Sequence, residues 1–168
     1  PASAVFAQGL RADAGEVATL GSVVVTGEKV RRTVKETASS VAVIGNRHLQ
    51  EQPEAAAVRD VTRNVPNVLY TGPGSAPVIR GVDGQGASSG AGAFYGGTVP
   101  RARVNVDGHN LNFWETAFGT ASIWDVDSVE VYRGPQTAAL GANSIAGSVI
   151  VNTKDPTFKP EGAAQLQL

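Results

Sequence analysis

The stretch from Tyr132 to Pro156, YRGPQTAALGANSIAGSVIVNTKDP, constrains the fold most. It reads as the end of one strand, a helical turn opened by Pro135 and closed by Gly141, and a second strand over Gly147 to Thr153. The run ahead of it, Ser128 to Arg133, alternates apolar and polar residues as a half-buried strand does. Almost no side chain in this stretch is able to do covalent chemistry.

The same punctuation governs the rest of the chain. Twenty glycines among 168 residues imply many sharp turns and close backbone approaches. Val41 to Ile44 reads as a short buried strand. Pro53 and the residues Glu54 to Val65 read as a helix, with Val58, Val61 and Val65 on one face and Pro66 as the stop. Asn67 to Thr71 and Val78 to Gly81 are two short β-type runs around the turn signal Gly72-Pro73-Gly74. Arg103 to Asp107 alternates and ends in the tight-turn pair Asp107-Gly108. Between them, residues 83–100 hold six glycines and read as a long irregular loop. The fold class expected is α+β, a small mixed β-sheet with short helices and long Gly-rich loops.

Chemistry is sparse. With 14 basic and 15 acidic residues the net charge is -1, which does not suit a phosphate backbone, so no nucleic acid partner is expected. The absence of cysteine removes disulfides, thiolate metal sites and thiol catalysis. His48 and His109 stand 61 positions apart with no carboxylate cluster at ligand spacing, so neither a metal nor a cofactor is expected. Gly86-Ala87-Ser88-Ser89-Gly90 satisfies the pattern of a hydrolase nucleophile elbow. That elbow needs a strand-to-helix turn and a supporting histidine, whereas Ser88 lies in a glycine-rich loop leading to a strand. No catalytic residue is assigned. No apolar run approaches the ~18 to 20 residues of a membrane-spanning helix.

Residues 1–40 read as a flexible leader, whose first residues suit either a signal-peptide cleavage region or an Ala-rich tail. Within it lies one strongly β-forming island, Val23-Val24-Val25-Thr26 between Gly21 and Gly27. It either docks on the domain's own sheet or is an unpaired strand offered to another protein, because the leader supplies no evident partner strand.

Val78-Ile79-Arg80-Gly81, Val104 to Gly108, and Val129 to Pro135 continuing through Ala146 to Lys154 together resemble the plug domain of TonB-dependent outer-membrane receptors, in the family's order and spacing. The resemblance implies a plug over 41–157 that fills and gates the lumen of a C-terminal β-barrel absent from this chain. It implies that 158–168 are a linker and the start of the first barrel strand, where Ala164 to Leu168 alternates strictly, and that the leader lies in the periplasm. By the same resemblance Ser22, Val23, Val24, Val25, Thr26 and Gly27 form the TonB box, the strand that meets the C-terminal domain of TonB. Arg80 and Arg133 match two plug arginines that face acidic residues of the barrel wall, with Glu130 a local partner for one of them. The ligand implied is a ferric siderophore or other metal chelate or small nutrient, met by loops 72–76, 84–101 and 109–118. Phe94, Tyr95, Arg101, Phe113 and Trp114 are the ligand-facing candidates. The rival readings are a free-standing periplasmic interaction module of plug-like fold and, more remotely, a serine hydrolase using Ser88.

Overall fold

The computed structural model describes residues 24–25, 32–34, 39–52, 54–72, 75–86, 92, 95–118, 122–136, 141–159 and 162. Nine strands and three short helices follow in the order β1 (Val24–Val25), β2 (Arg32–Thr33), β3 (Val41–Gly45), α1 (Asn46–Gln50), α2 (Val58–Thr62), β4 (Val68–Leu69), β5 (Val78–Ile79), β6 (Ala102–Val106), β7 (His109–Asn110), α3 (Phe113–Phe118), β8 (Val126–Tyr132) and β9 (Gly147–Thr153) among the described residues. Five of the strands form one sheet in the order β3-β8-β9-β6-β7. β3, β8 and β9 pair antiparallel, β9 and β6 pair parallel, and β6 turns back antiparallel into β7. The sheet is therefore mixed.

Registration explains which face the core occupies. Ile44 lies opposite Val129, which lies opposite Val151, and Val131 lies opposite Val149. These residues share one face of the pleat and pack with Val58, Val61 and Val65 of the α2 region and with Val68 and Ile79 of the small β4-β5 pair. Each valine or isoleucine withdrawn there contributes about 1.5–3 kcal/mol of transfer free energy, so this face holds the main core.

The other face is polar and is also covered. Across it run Val41, Tyr132, Ser148 and Arg103 in one row and Val43, Glu130, Ile150, Asn105 and Asn110 in the next. Tyr132, Glu130 and Ser148 are fully buried. Tyr132 donates its hydroxyl proton to the Glu130 carboxylate at 3.0 Å, and the Asn152 amide donates to Glu130 at 3.3 Å and to Ser128 at 3.2 Å. A buried carboxylate needs such donors, because leaving it unsatisfied costs several kcal/mol. The described bonds to the Glu130 side chain come from a tyrosine and an amide.

The helix expected from Glu54 to Val65 is shorter, running from Val58 to Thr62. Ala57 has an extended backbone (φ -131, ψ 157) and bridges Ser122, so a tertiary pairing holds Ala57 out of the helix despite the favourable propensity of alanine. Asp60 then caps the start by accepting from the Ala57 N–H at 3.1 Å and the Ala56 N–H at 3.3 Å. At the other end the chain tightens into i→i−3 bonds, Asn64 to Val61 and Val65 to Thr62, before Pro66 is reached. α1 was not expected. Its Leu49 is buried, and the Asn46 amide is tied to the Val126 carbonyl at 3.0 Å.

Thr62 and Tyr70 lock α2 to the strand pair beside it. Their hydroxyls meet at 2.7 Å, and Thr62 also donates to the Val58 carbonyl at 2.9 Å. The Arg59 guanidinium lies 4.8 Å from the centre of the Tyr70 ring and donates to the Gly72 and Ser75 carbonyls at 3.0 and 2.8 Å. Burial raises the Tyr70 pKa above its ordinary value of 10.0, although the Thr62 hydrogen bond opposes the shift. The folded state therefore holds the phenol proton more tightly than the unfolded chain. The corresponding stability is fully present below about pH 10 and is lost as pH rises through the folded-state pKa. Melting temperatures at pH 8.5 and pH 11 should show a smaller alkaline loss for Tyr70→Phe than for the parent chain, and an identical loss would contradict the assignment.

Candidate functional site: the loop cleft and the leader hairpin

The β6-β7 hairpin turns at Asp107 (φ 48) and Gly108 (φ 89), the left-handed pair that a two-residue hairpin requires. Asp107 also accepts from the Thr153 N–H and hydroxyl, each at 2.8 Å, which pins the turn to the end of β9. Beyond β7, Asn112 and Glu115 cap α3 reciprocally. The Glu115 N–H donates to the Asn112 side chain at 2.9 Å, and the Asn112 N–H donates to the Glu115 carboxylate at 2.8 Å. His109 lies 3.6 Å from the same carboxylate.

These constraints shape a cleft of about 340 Å³ between residues 98–103, residues 110–113 and Asn143. Its floor includes Ala102 and Phe113; its polar groups are Thr98, Arg103, Asn110, Asn112 and Asn143. Arg103 is the single charged residue among the described lining residues. Its Nη2 donates to the Ala142 carbonyl, which holds the guanidinium in place, and its Nε is enclosed with no hydrogen-bond partner.

The ligand-facing candidates separate around this cleft. Phe113 lines it and is nearly buried; Trp114 follows on α3 and is half exposed. Tyr95 is 85% exposed and Arg101 is exposed, but neither lines the cleft, and Phe94 lies outside the described residues. In the first of the three loops Ser75 and Ala76 are buried, and Arg59 binds the Gly72 and Ser75 carbonyls, so these described residues are tied down to the plug. Asn110 and Asn112 belong to the 109–118 loop expected to face ligand, whereas Arg103 and Asn143 are not among the candidates of the sequence. Arg103 to Asp107 reads as a strand ending in a turn, and nothing in spacing shows that a strand residue and two loops close on one space.

The leader departs from an unpaired strand. β1 pairs antiparallel with β2, Val24 opposite Thr33 and Val25 opposite Arg32. Val25 is 1% exposed and packs on Tyr132, Ile150 and Val41, on the polar face of the main sheet. The leader thus provides the partner strand that was not evident in its sequence. Ser22, Val23, Thr26 and Gly27 lie outside the described residues, as do Ser88 and Ala164 to Leu168. Downstream of the hairpin the Arg133 N–H donates to the Ser40 carbonyl at 2.8 Å and the Gln136 amide donates to Ser39 at 3.0 Å, so the leader joins the sheet beside Arg133. Arg133 is half-buried, with a longer contact of 3.5 Å to the Pro66 carbonyl and an enclosed, unpartnered Nε. Arg80 is exposed, in a left-handed conformation (φ 51).

A mixed sheet of this order, short helices and a leader seated on the sheet define a plug. The family model described as TonB-dependent Receptor Plug Domain matches residues 33–148, and the chain belongs to that family. Its members are receptors, not enzymes. The vitamin B12 transporter BtuB of Vibrio vulnificus strain CMCP6 is 29% identical over 140 residues, 83% of this chain and 22% of the transporter. The alcaligin outer-membrane receptor FauA of Bordetella pertussis has a similar fold, with TM-score 0.61 and 15% identity over 81% of this chain and 22% of that one. The ferripyoverdine receptor of the outer membrane of Pseudomonas aeruginosa, bound to ferripyoverdine, matches with TM-score 0.59 and 20% identity over 80% of this chain and 17% of that one. The chain spans about a fifth of the length of these relatives.

Proposed function

We propose that this chain is the gating plug of an outer-membrane TonB-dependent transporter. It blocks the lumen of a β-barrel, contributes the loops at residues 84–101 and 109–118 to ligand binding on the outer face, and couples to TonB in the periplasm through Ser22 to Gly27. The ligand is a ferric siderophore or another iron complex. The observation that carries this reading is the plug family match across residues 33–148, over a sheet on whose second face Val25 of the leader is seated. Blocking, holding shape and yielding to a pull need packing and hydrogen bonds and no nucleophile, in agreement with described buried polar residues such as Asn105, Glu130 and Ser148 that lie within the strands of the main sheet.

The second face supports the coupling. Val25 packs on Tyr132 and Ile150, so a force on the leader acts on a residue already seated on the sheet, and Ser39 and Ser40, just before β3, hold the chain to Gln136 and Arg133. Arg133, half-buried beside the Pro66 carbonyl, and the exposed Arg80 are the plug's candidates for barrel-wall carboxylates. The test is uptake of labelled iron chelates by cells expressing the full receptor, with and without the proton-motive force. Energised cells should accumulate chelate while de-energised cells bind it at the surface and do not accumulate it. Equal accumulation in both would refute the reading.

A further inference from the structure

We infer that the cleft beneath the 98–103 and 110–113 loops is selective for an anionic, oxygen-rich metal chelate, with Arg103 as the residue that determines the charge preference. The inference rests on the reading of the chain as a receptor plug and names the ligand chemistry of that site.

The cleft is concave, about 340 Å³, and has an apolar floor at Phe113 and Ala102. Around that floor Arg103, Asn110, Asn112, Asn143 and Thr98 supply donors, and no carboxylate lines it among the described residues. Such a composition, an aromatic floor with a few convergent polar groups, is that of a small-molecule site. The sign of the site is set by one group. Arginine stays protonated throughout the physiological range, and no described carboxylate pairs with Arg103. The nearby acid, Glu115, is already engaged by the Asn112 N–H and His109 and does not line the cleft.

The guanidinium is also positioned in advance. Its bond to the Ala142 carbonyl and its place on β6 opposite Ser148 of β9 fix the planar fork on a central part of the sheet rather than on a loop. A cation held at the side of a partly desolvated cleft carries a desolvation cost that an incoming anion lowers. Carboxylate and catecholate oxygens match both the charge and the planar donor fork. A neutral chelate gains only the amide and hydroxyl contacts.

The test uses the full chain, isotope-labelled, with diamagnetic gallium(III) complexes as probes: a negatively charged tris-catecholate and a neutral tris-hydroxamate. The tris-catecholate should give saturable NMR shifts centred on Arg103, residues 110–113 and Asn143, and the neutral complex should not. Arg103→Gln should weaken that response by at least about tenfold, and Arg103→Lys, which keeps the charge without the fork, should fall between the two. Dispersed spectra of both variants establish that the sheet is intact. A variant that fails to disperse is replaced in the comparison by Asn143→Asp, which sets a carboxylate in the cleft wall and should reduce anion binding. Equal shifts with the neutral probe, shifts centred elsewhere, no saturable shift, or an unchanged response in Arg103→Gln would overturn the inference. Energy-dependent uptake of neutral chelates by the full receptor would do so while leaving the receptor reading intact. Failure of energy-dependent uptake for every chelate would instead count against that reading alone.

Discussion

Gly147→Val is expected to destabilise the plug severely. Gly147 opens β9, the strand between β8 and β6, with φ 148, a conformation that side chains of L-residues rarely adopt. A Cβ there would lie 2.3 Å from the Tyr132 carbonyl oxygen and 2.9 Å from the Ile79 side chain. The carbonyl belongs to the β8 backbone and has no rotamer by which to retreat, whereas Ile79 is fully buried in the core. Overpacking costs about 1–3 kcal/mol and the backbone strain adds about the same, so a loss of roughly 4 kcal/mol is expected from a total of about 5–15. Urea midpoints measure it. Gly134→Ala is the control, because nothing lies within 4 Å of the added atom, and it should stay within about 0.5 kcal/mol of the parent. If Gly147→Ala, with its single added carbon, matched that control, the close approach would not hold the sheet as described.

Val25→Pro is expected to abolish energised uptake in the full receptor while ligand binding at the cell surface persists. Proline removes one main-chain donor and restricts the residue before it, so Val24 and Val25 lose the ability to pair as a strand with any partner, be it β2 or a strand of TonB. The ligand loops are on other elements and keep their support from β6, β7 and α3. Val25→Ala keeps the backbone and loses contacts with Tyr132 and Ile150, at a local cost of about 2 kcal/mol, so it should loosen the hairpin and reduce uptake less. Uptake and binding measured side by side for both variants decide the matter, and normal uptake by the proline variant would remove Ser22 to Gly27 as the TonB contact. Faster amide exchange at Tyr132 and Ile150 in Val25→Ala would report the uncovered face directly.

Several parts of this structure were legible in the order of residues. The alternation of Ser128 to Tyr132 gave a strand because one face of β8 is uniformly valine and the other carries Glu130 and Tyr132. Asp107-Gly108 gave the turn because a two-residue hairpin needs left-handed backbone at both positions. Other parts depend on contacts between distant segments. Ala55 to Ala57 favour helix in isolation and were drawn out of it by the bridge to Ser122. α1 contains a single buried apolar residue, too few to show a period. The polar positions of β8 and β9 suit a solvent-facing side, yet Glu130 and Ser148 are enclosed on the face where Val25 is seated on Tyr132 and Ile150. In the candidate site the aromatic content of the 109–118 loop directed attention to Phe113, but the charge that dominates the cleft belongs to a strand residue, Arg103.

The strand order β3-β8-β9-β6-β7 has a further consequence for biogenesis. β3, the first strand of the sheet, finds its partner only in β8, and β6 closes in parallel only on β9, so both pairings join segments far apart in the chain. Such topologies fold slowly, since the entropy of closing long loops is spent before the contacts that reward it are made. Until β8 and β9 have emerged, β3 has no partner in the main sheet and the β6-β7 hairpin has nothing to dock on, so the chain stays threadable. Under the placement proposed above, the chain crosses one membrane before it is enclosed in another and gains from that delay, and its exposed valine-rich strands would in the interval be natural clients for a chaperone.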